Sequence, residues 1–279
     1  MKGRSLLLLS AGCGVSLVLF LILTIIFVPI AEVKGVITRV LAREGYELRT
    51  DDFHKSFPLG ISLRNVEVRD GRGLLLKLDT ATVRLKLLPL FIGTVCLDAR
   101  ARIGDGELSA SFEPRTSTIS LRSEGLQLQD IPLLQVATNA NMQGKLFVDG
   151  SFTGRGTALQ GDMRMEIKQA ELRGIKVSGM PLPDASYDTI RGMFRASGGR
   201  GSLESLTFQG DGIYIRLKGT LAMTGPLSSA PLDLAIELMP KPDFLEKQKL
   251  VFQLLAKYQK SPGAYRIPVA GTLTSPSLQ

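Results

Sequence analysis

Residues 95–113, VCLDARARIGDGELSASFE, decide the fold of this chain. Apolar side chains alternate with polar ones on both sides of a central Gly104-Asp105-Gly106. A period of two is typical of a half-buried β-strand, and an aspartate flanked by glycines is typical of a tight turn. The segment therefore predicts two antiparallel strands that share one apolar face and one polar face.

The same alternation recurs along most of the chain after residue 46. It is visible in segments 61–63, 74–78, 83–87, 119–121, 126–128, 163–167, 175–177, 213–217 and 232–238. Glycine-rich turn signals separate these segments at 70–73, 123–125, 154–156, 198–201 and 210–212. Short strands and frequent turns indicate antiparallel pairing, because parallel strands need long crossover connections. The spacing of Leu203, Leu206 and Phe208 predicts a β-bulge.

We expect a mainly β fold, in which a curled antiparallel β-sheet forms a groove or a sandwich and carries one or two short helices. Such a sheet must cover its apolar face by folding into a sandwich, closing into a barrel, or curling into a partly open groove. The helical patterns cover 130–138 and 243–258. The second starts at Asp243, with Phe244, Val251, Leu254, Leu255 and Tyr258 on one face.

An uncharged apolar run at residues 6–30 precedes these strands. As a helix it would be about 37 Å long, which is enough to span a bilayer. We therefore predict a transmembrane helix there, after a cytoplasmic tail at residues 1–5. The tail's Lys2 and Arg4 favour a cytoplasmic N-terminus.

Residues 31–45 predict an amphipathic helical stalk between the membrane and the β-domain, which comprises residues 46–279. Its apolar side chains are spaced by three and four positions: Val33, Val36, Ile37, Val40 and Leu41. Gly45 marks its expected end. This order places the β-domain in the periplasm of a single-pass inner-membrane protein.

Composition excludes several classes of function. The 279 residues contain 34 Lys and Arg against 26 Asp and Glu, a net charge of +8. The cations are scattered rather than clustered on one face with aromatics, so no nucleic-acid partner is expected. Two cysteines, Cys13 and Cys96, cannot form a disulfide framework. The single histidine, His54, predicts a surface position rather than a metal ligand.

No pattern indicates catalysis or a cofactor. The glycine-rich segments lack a following Lys-Ser/Thr, so their pattern predicts hairpin turns rather than phosphate-binding loops. Two pairs of neighbouring acids, Asp105 with Glu107 and Asp162 with Glu166, fit solvated turns and strand edges. We therefore expect a protein that is not an enzyme and holds neither cofactor nor metal.

The apolar stripe of the strands is the remaining candidate for a functional surface. Its expected lining residues are Leu76, Val83, Leu85, Leu97, Ile213, Ile215, Leu234 and Ile236. In a closed sheet they form a core. In an open sheet they line a slot for acyl chains or for a strand added by a partner protein.

Several segments resemble the AsmA-like envelope proteins, and most closely the type II secretion system protein N family, GspN. After the N-terminal apolar run, they are FPLGISLRNVEV at 57–68, LKLLPLF at 85–91, GLQL at 125–128, IPLL at 131–134, GKL at 144–146, GSFTG at 150–154 and GTLTSPSL at 271–278. The resemblance covers nearly the whole chain but consists of loose patterns of Leu, Gly and Pro.

This resemblance implies an inner-membrane accessory or scaffold subunit of the type II secretion system, without catalytic residues. Its partners would be the inner membrane and other secretion subunits. The alternative that the resemblance implies is an AsmA-like groove that binds lipid acyl chains or another amphiphile in the bacterial envelope.

Overall fold

The computed structural model describes residues 30–43, 45–57, 59–71, 73–91, 93–132, 141–174, 176–177, 180–181, 184–223, 230–272 and 275–278. Among these residues, no helix is both long and apolar enough to cross a bilayer. The predicted membrane helix at 6–30 lies outside the described residues except for Ile30, as does most of the helix predicted at 130–138.

Strands account for most of the described chain. The helices are α1 (Ile30–Arg43), α2 (Leu87–Phe91), α3 (Pro242–Lys247) and α4 (Lys249–Leu254). The strands of the first half are β1 (Glu47–Arg49), β2 (Asp52–Ser56), β3 (Gly60–Asp70), β4 (Gly73–Leu85), β5 (Leu97–Ile103), β6 (Gly106–Glu113), β7 (Thr118–Gln127) and β8 (Asn141–Thr153). Those of the second half are β9 (Gln160–Arg173), β10 (Lys176–Val177), β11 (Met180–Pro181), β12 (Ala185–Ser197), β13 (Arg200–Gln209), β14 (Ile213–Ala222), β15 (Leu232–Pro240), β16 (Gln259–Ser261), β17 (Ala264–Thr272) and β18 (Ser275–Leu278).

All strands except β10 and β11 belong to one 16-stranded antiparallel sheet. From β3 to β17, the strands follow one another in chain order, with β12 beside β9. The short strands β1 and β2 both pair with β3 at one edge, and β16 and β18 both pair with β17 at the other. The two edges do not pair with each other among the described strands, so the sheet is not a closed barrel. The predicted mainly β, antiparallel fold is confirmed.

The hairpin at residues 95–113 forms as its sequence predicts. Ile103 pairs with Gly106, which leaves Gly104 and Asp105 as a two-residue turn. Gly104 adopts a φ of 54°, a left-handed conformation that glycine tolerates without steric cost. The bulge predicted near Leu203 is also present, because the register of β13 against β14 shifts between Leu203 and Leu206.

The long strands run between two ends of the sheet that differ in their connections. One end, called the helical end, carries connections 104–105, 210–212 and 241–263, the last of which contains α3 and α4. The opposite end, called the basic end, carries connections 86–96, 114–117 and 154–159, each with a single cation.

Helix α1 lies where the sequence predicts an amphipathic helix at 31–45, and its role as a stalk stays a prediction. Its C-terminus is closed by two backbone hydrogen bonds, in which the Tyr46 N–H donates to Leu41 O (2.9 Å) and the Gly45 N–H donates to Ala42 O (3.1 Å). Gly45 has a φ of 83°. This pattern satisfies two carbonyls that the helix end would otherwise leave open, and it turns the chain into β1.

The single helix predicted at 243–258 is wrong in detail. Gln248 has a φ of −111° and a ψ of 28°, which interrupts the segment between α3 and α4. Lys241 rather than Asp243 is the N-cap, because Pro242 occupies the first turn, where its missing N–H costs nothing. Leu254, expected on the packed face, is exposed, while Phe252 is buried.

Two clusters of buried side chains form on the same face of this one sheet. The larger lies at the helical end, where Phe252, Leu255 and Tyr258 cover strands β9 to β17. The smaller joins Leu63 of β3 to Leu126 of β7. Each cluster removes apolar surface from water, at about 25 cal/mol per Å².

Candidate functional site: the apolar face of the sheet

A continuous row of side chains crosses 13 strands on one face of the sheet, here called the apolar face. In register order the row consists of Phe53, Leu63, Ala81, Ala101, Leu108, Ser123, Val148, Met165, Gly192, Leu206, Leu217, Ile236 and Ile267. Most of these side chains are apolar. The alternation read from sequence thus becomes one surface that extends across nearly the whole sheet.

The middle of the apolar face is only half-buried. Val148, Met165, Leu206, Leu217 and Ile236 all keep part of their surface accessible. Large side chains here lie across glycines of neighbouring strands. A Cβ at Gly192 would stand 2.6 Å from the Met165 Cγ, and one at Gly201 would stand 2.6 Å from the Phe194 Cζ. Glycine at these two positions gives the neighbouring side chains room to lie flat.

The helical end of the apolar face is a closed core. Ile190, Leu238 and Leu255 are almost completely buried there. The Phe252 ring of α4 packs against Tyr265 at a centroid distance of 5.2 Å. Burial also raises the pKa of the Tyr187 phenol, because the charged form would lose its hydration.

The eight predicted lining residues all lie on strands of the large sheet. Leu76, Val83, Leu85, Leu97, Leu234 and Ile236 are half-buried, whereas Ile213 and Ile215 are buried in the core of the helical end. Of the six, Ile236 packs against the larger cluster and Leu76 against the smaller one. Ile213 and Ile215 lie under α3, α4 and the turn that follows. Ligand contact at any of them stays a prediction.

Ser123 interrupts the apolar row with a polar atom. It is 3% exposed, and its hydroxyl has no hydrogen-bond partner among the described residues. Leu108 and Val148 are its register neighbours. Burial of a hydroxyl without a partner costs about 1–3 kcal/mol.

The opposite, polar face carries cross-strand ion pairs. Lys218 Nζ lies 2.8 Å from Glu237 Oε1, and Glu237 stands in register between Arg216 and Arg266. The hydrogen bond from Lys218 lowers the pKa of Glu237, and the two arginines add to this effect while partial burial opposes it. The polar face is therefore stabilised by charge pairing across strands.

Sequence reasoning missed a cavity of about 620 Å³ across the middle strands, whose lining includes Val148 and Met165 of the apolar row. Its lining also includes Phe147, Asp149, Arg164, Glu166 and Arg191, which come from β8, β9 and β12. Arg191 Nε lies 3.1 Å from Glu166 Oε1, so Glu166 is engaged in an ion pair. Sequence gave no signal for this cavity, because it depends on the register of strands that are distant in the chain.

The other sequence candidates are dispersed. His54 Nδ1 lies 3.3 Å from Asp52 Oδ2 on the exposed edge strand β2. Asp105 lies in a turn, and Cys96 carries a free thiol. Among the described residues, no group of three or more histidine, cysteine and acidic side chains could hold a metal ion.

Comparison of the chain with protein families, with curated proteins and with solved structures found no match. The resemblance to the GspN family therefore stays a prediction from the sequence.

Proposed function

We propose that this chain is a membrane-anchored envelope protein whose sheet curls around its apolar face to form an open groove for lipid acyl chains or another amphiphile. The observation that carries the proposal is the half-buried apolar row in a sheet that does not close on itself. An apolar surface of this extent, left accessible, is typical of a binding surface rather than of a monomer's exterior. The proposed function involves no bond chemistry.

Contact between distant strands supports the curl. The β10–β11 hairpin, in the connection between β9 and β12, contacts β18 at the sheet edge. Five strand spacings separate β12 from β18, or about 24 Å in a flat sheet. The β10–β11 hairpin lies in the middle of the connection 174–184, and half of this connection spans at most about 18 Å. A curled sheet brings β12 and β18 closer together than a flat sheet does, so that the hairpin can contact β18.

The hydroxyl of Ser123 is closed to solvent, so the contacts open to a ligand are those of its half-buried neighbours. The half-buried residues around it, Val148 and Met165, would contact the apolar chain.

Photo-cross-linking of a fatty acid tests the proposal. The full chain is reconstituted in lipid nanodiscs with a diazirine-bearing fatty acid, and cross-linked peptides are identified by mass spectrometry. We expect labelled residues on the apolar face. We also expect Met165→Asp to lower the cross-link yield about tenfold, because it places a charge in the groove.

The matched control for Met165→Asp is Arg164→Asp, since strand alternation places the adjacent Arg164 on the polar face. Arg164→Asp is a surface substitution, so its cross-link yield should stay within about twofold of that of the unchanged chain.

A second pair of variants serves if Met165→Asp fails to fold. Ala110→Phe fills the groove without a charge, and Ser111→Phe is its control. Labels on the polar face, or equal yields in both variants of a pair, would overturn the proposed groove.

A second candidate function is the scaffold subunit of the type II secretion system that the sequence resemblance implies. One observation favours protein contacts: Leu250 and Leu254 are exposed on the outer side of α4, and Leu250 is 78% exposed. Two leucines four positions apart on a helix form an anchor pattern for a partner.

In a host that secretes through this system, deletion of the gene should trap exoproteins in the periplasm. Normal secretion would contradict the scaffold function.

A further inference from the structure

The connections at the basic end contain no acidic residue. Their described residues are 57, 59, 86–91, 93–96, 114–117, 154–159, 198–199, 223 and 230. Their charged residues are Lys86, Arg115 and Arg155, and Arg200 begins the strand that follows the turn at 198–199. Lys86 pairs with Asp98 of β5 (Nζ–Oδ1, 3.2 Å), and Glu113 ends β6 at this end. The three arginines outnumber Glu113 and leave this end positively charged.

The connections at the helical end carry both acids and bases. They contain the acidic residues Asp105, Asp130, Asp184, Asp211, Asp243 and Glu246. Lysines are present there as well, so acids and bases are mixed. Because all strands run between these two ends, the difference in charge lies along the strand direction of the sheet.

Exposed apolar side chains lie beside the cations of the basic end. Phe57, in the turn between β2 and β3, is 88% exposed, and Leu88 of α2 is 83% exposed. Val95, just before β5, is also exposed. Helix α2 has the sequence LLPLF. Exposure of apolar side chains to water is unfavourable, so this sequence is unusual in an exposed connection.

The arginines of the basic end are available to a partner. Arg115, Arg155 and Arg200 are exposed, and none of them forms an ion pair within the described part of the chain. By contrast, arginines on the strands pair with neighbouring acids, as Arg191 does with Glu166 and Arg69 with Glu67.

Helix α1 lies at the sheet edge formed by β1 and β2, because it contacts both strands. It ends next to β1, which pairs with β3 near the helical end through Glu47 and Arg69.

We propose that the basic end docks on the surface of an anionic phospholipid bilayer. Its exposed arginines would contact lipid phosphates, each contributing about fivefold to the docking equilibrium near the surface. Phe57 and Leu88 would enter the interface between headgroups and acyl chains, as apolar groups of peripheral membrane proteins do. The apolar run at 6–30, predicted as a membrane anchor, precedes α1 in the chain.

This docking does not depend on the proposed groove, but it gives the groove an orientation. With the basic end on the bilayer, the strands stand away from the membrane, and the apolar face begins at the lipid surface. The helical end, which is a closed core, then lies farthest from the membrane.

Depth-dependent fluorescence quenching tests the docking. The full chain, with its two cysteines replaced by serine, receives a single cysteine labelled with the fluorophore NBD at position 57 or at position 250. It is reconstituted into vesicles of phosphatidylcholine and phosphatidylglycerol in equal parts, or of phosphatidylcholine alone, with doxyl-labelled lipid as quencher. We expect quenching at position 57 in the anionic vesicles and little at position 250.

Charge reversal separates electrostatic docking from simple tethering. Arg115→Glu, Arg155→Glu and Arg200→Glu together should lower the docking equilibrium constant, read from quenching at position 57, at least about a hundredfold, by the contribution expected of each cation. The control combines Lys241→Glu, Lys249→Glu and Lys260→Glu, which change the net charge equally but lie in the connection at the helical end. This control should leave quenching at position 57 unchanged.

Three results would overturn the docking surface. They are quenching at position 250 rather than 57, equal effects of the two triple variants, and an NBD probe at position 57 that stays in water with both lipids. The last result would indicate an acidic protein as the partner of the basic end. Cross-linking of the fatty acid is read independently, so a failed docking surface and a failed groove give different results.

Discussion

At Glu237, one carboxylate faces several cations on the polar face of the sheet. Lys218 donates a hydrogen bond to it, and Arg216 and Arg266 are its register neighbours. The Arg216 Nε is buried without a hydrogen-bond partner among the described residues. Loss of the carboxylate would leave neighbouring positive charges that repel one another.

We predict that Glu237→Gln lowers the free energy of unfolding by about 0.5–1 kcal/mol at neutral pH, the range of a partly exposed ion pair. The folded-state pKa of Glu237 is lowered, so its stabilisation is complete above the ordinary carboxyl pKa of about 4.3. It is lost as the pH falls through the lower folded-state pKa. Urea titrations at several pH values should therefore show the difference from the unchanged chain disappearing in acid.

The control for this prediction is Glu124→Gln, which removes the carboxylate of an ion pair with Arg122 at 3.2 Å. Both partners of that pair are well exposed, so its loss should change stability very little. A pH-independent effect of Glu237→Gln, or an equal effect of both variants, would contradict the electrostatic explanation.

At the scale of single elements, strands with local turns were predictable from sequence. Hairpin 95–113 needs only its own alternation and the turn at Gly104 and Asp105 to set its register. The helical stalk was equally local, since its end depends on Gly45. In each case the interactions that define the element connect residues that are close in sequence.

Elements shaped by distant contacts were not predictable. The break at Gln248 and the exposure of Leu254 depend on how the segment after β15 lies over the apolar face. The cavity lined by Phe147 and Arg191 likewise needs residues from several strands. Sequence also could not show that Ile213 and Ile215 would be covered while Leu234 and Ile236 stay half-buried, because all four have the same alternation.

At the scale of the whole molecule, one sheet connects two separate hydrophobic clusters. The ladder between β8 and β9 runs from Asn141 with Arg173 to Thr153 with Gln160, and the pairing of β9 with β12 is nearly as long. No wide gap in hydrogen bonding divides the halves among the described strands. We therefore expect the two clusters to unfold together, despite their distance from each other.

Leucine truncation in each cluster tests this cooperativity. Leu238→Ala at the helical end and Leu63→Ala in the smaller cluster should each cost about 2–5 kcal/mol, the usual range for a buried leucine. Four of the five tyrosines lie after residue 186, and the chain has no tryptophan. Tyrosine fluorescence thus reports mainly the second half, while far-ultraviolet circular dichroism reports the whole sheet.

For a single cooperative sheet, both signals change at the same urea concentration in the unchanged chain and in each variant. The costs of the two substitutions then add in the double variant, because the sites share no contacts. If the halves were independent, Leu63→Ala would shift part of the dichroism transition and leave the tyrosine transition in place. That outcome would mean that the ladder between β8 and β9 does not couple the smaller cluster to the core under α4.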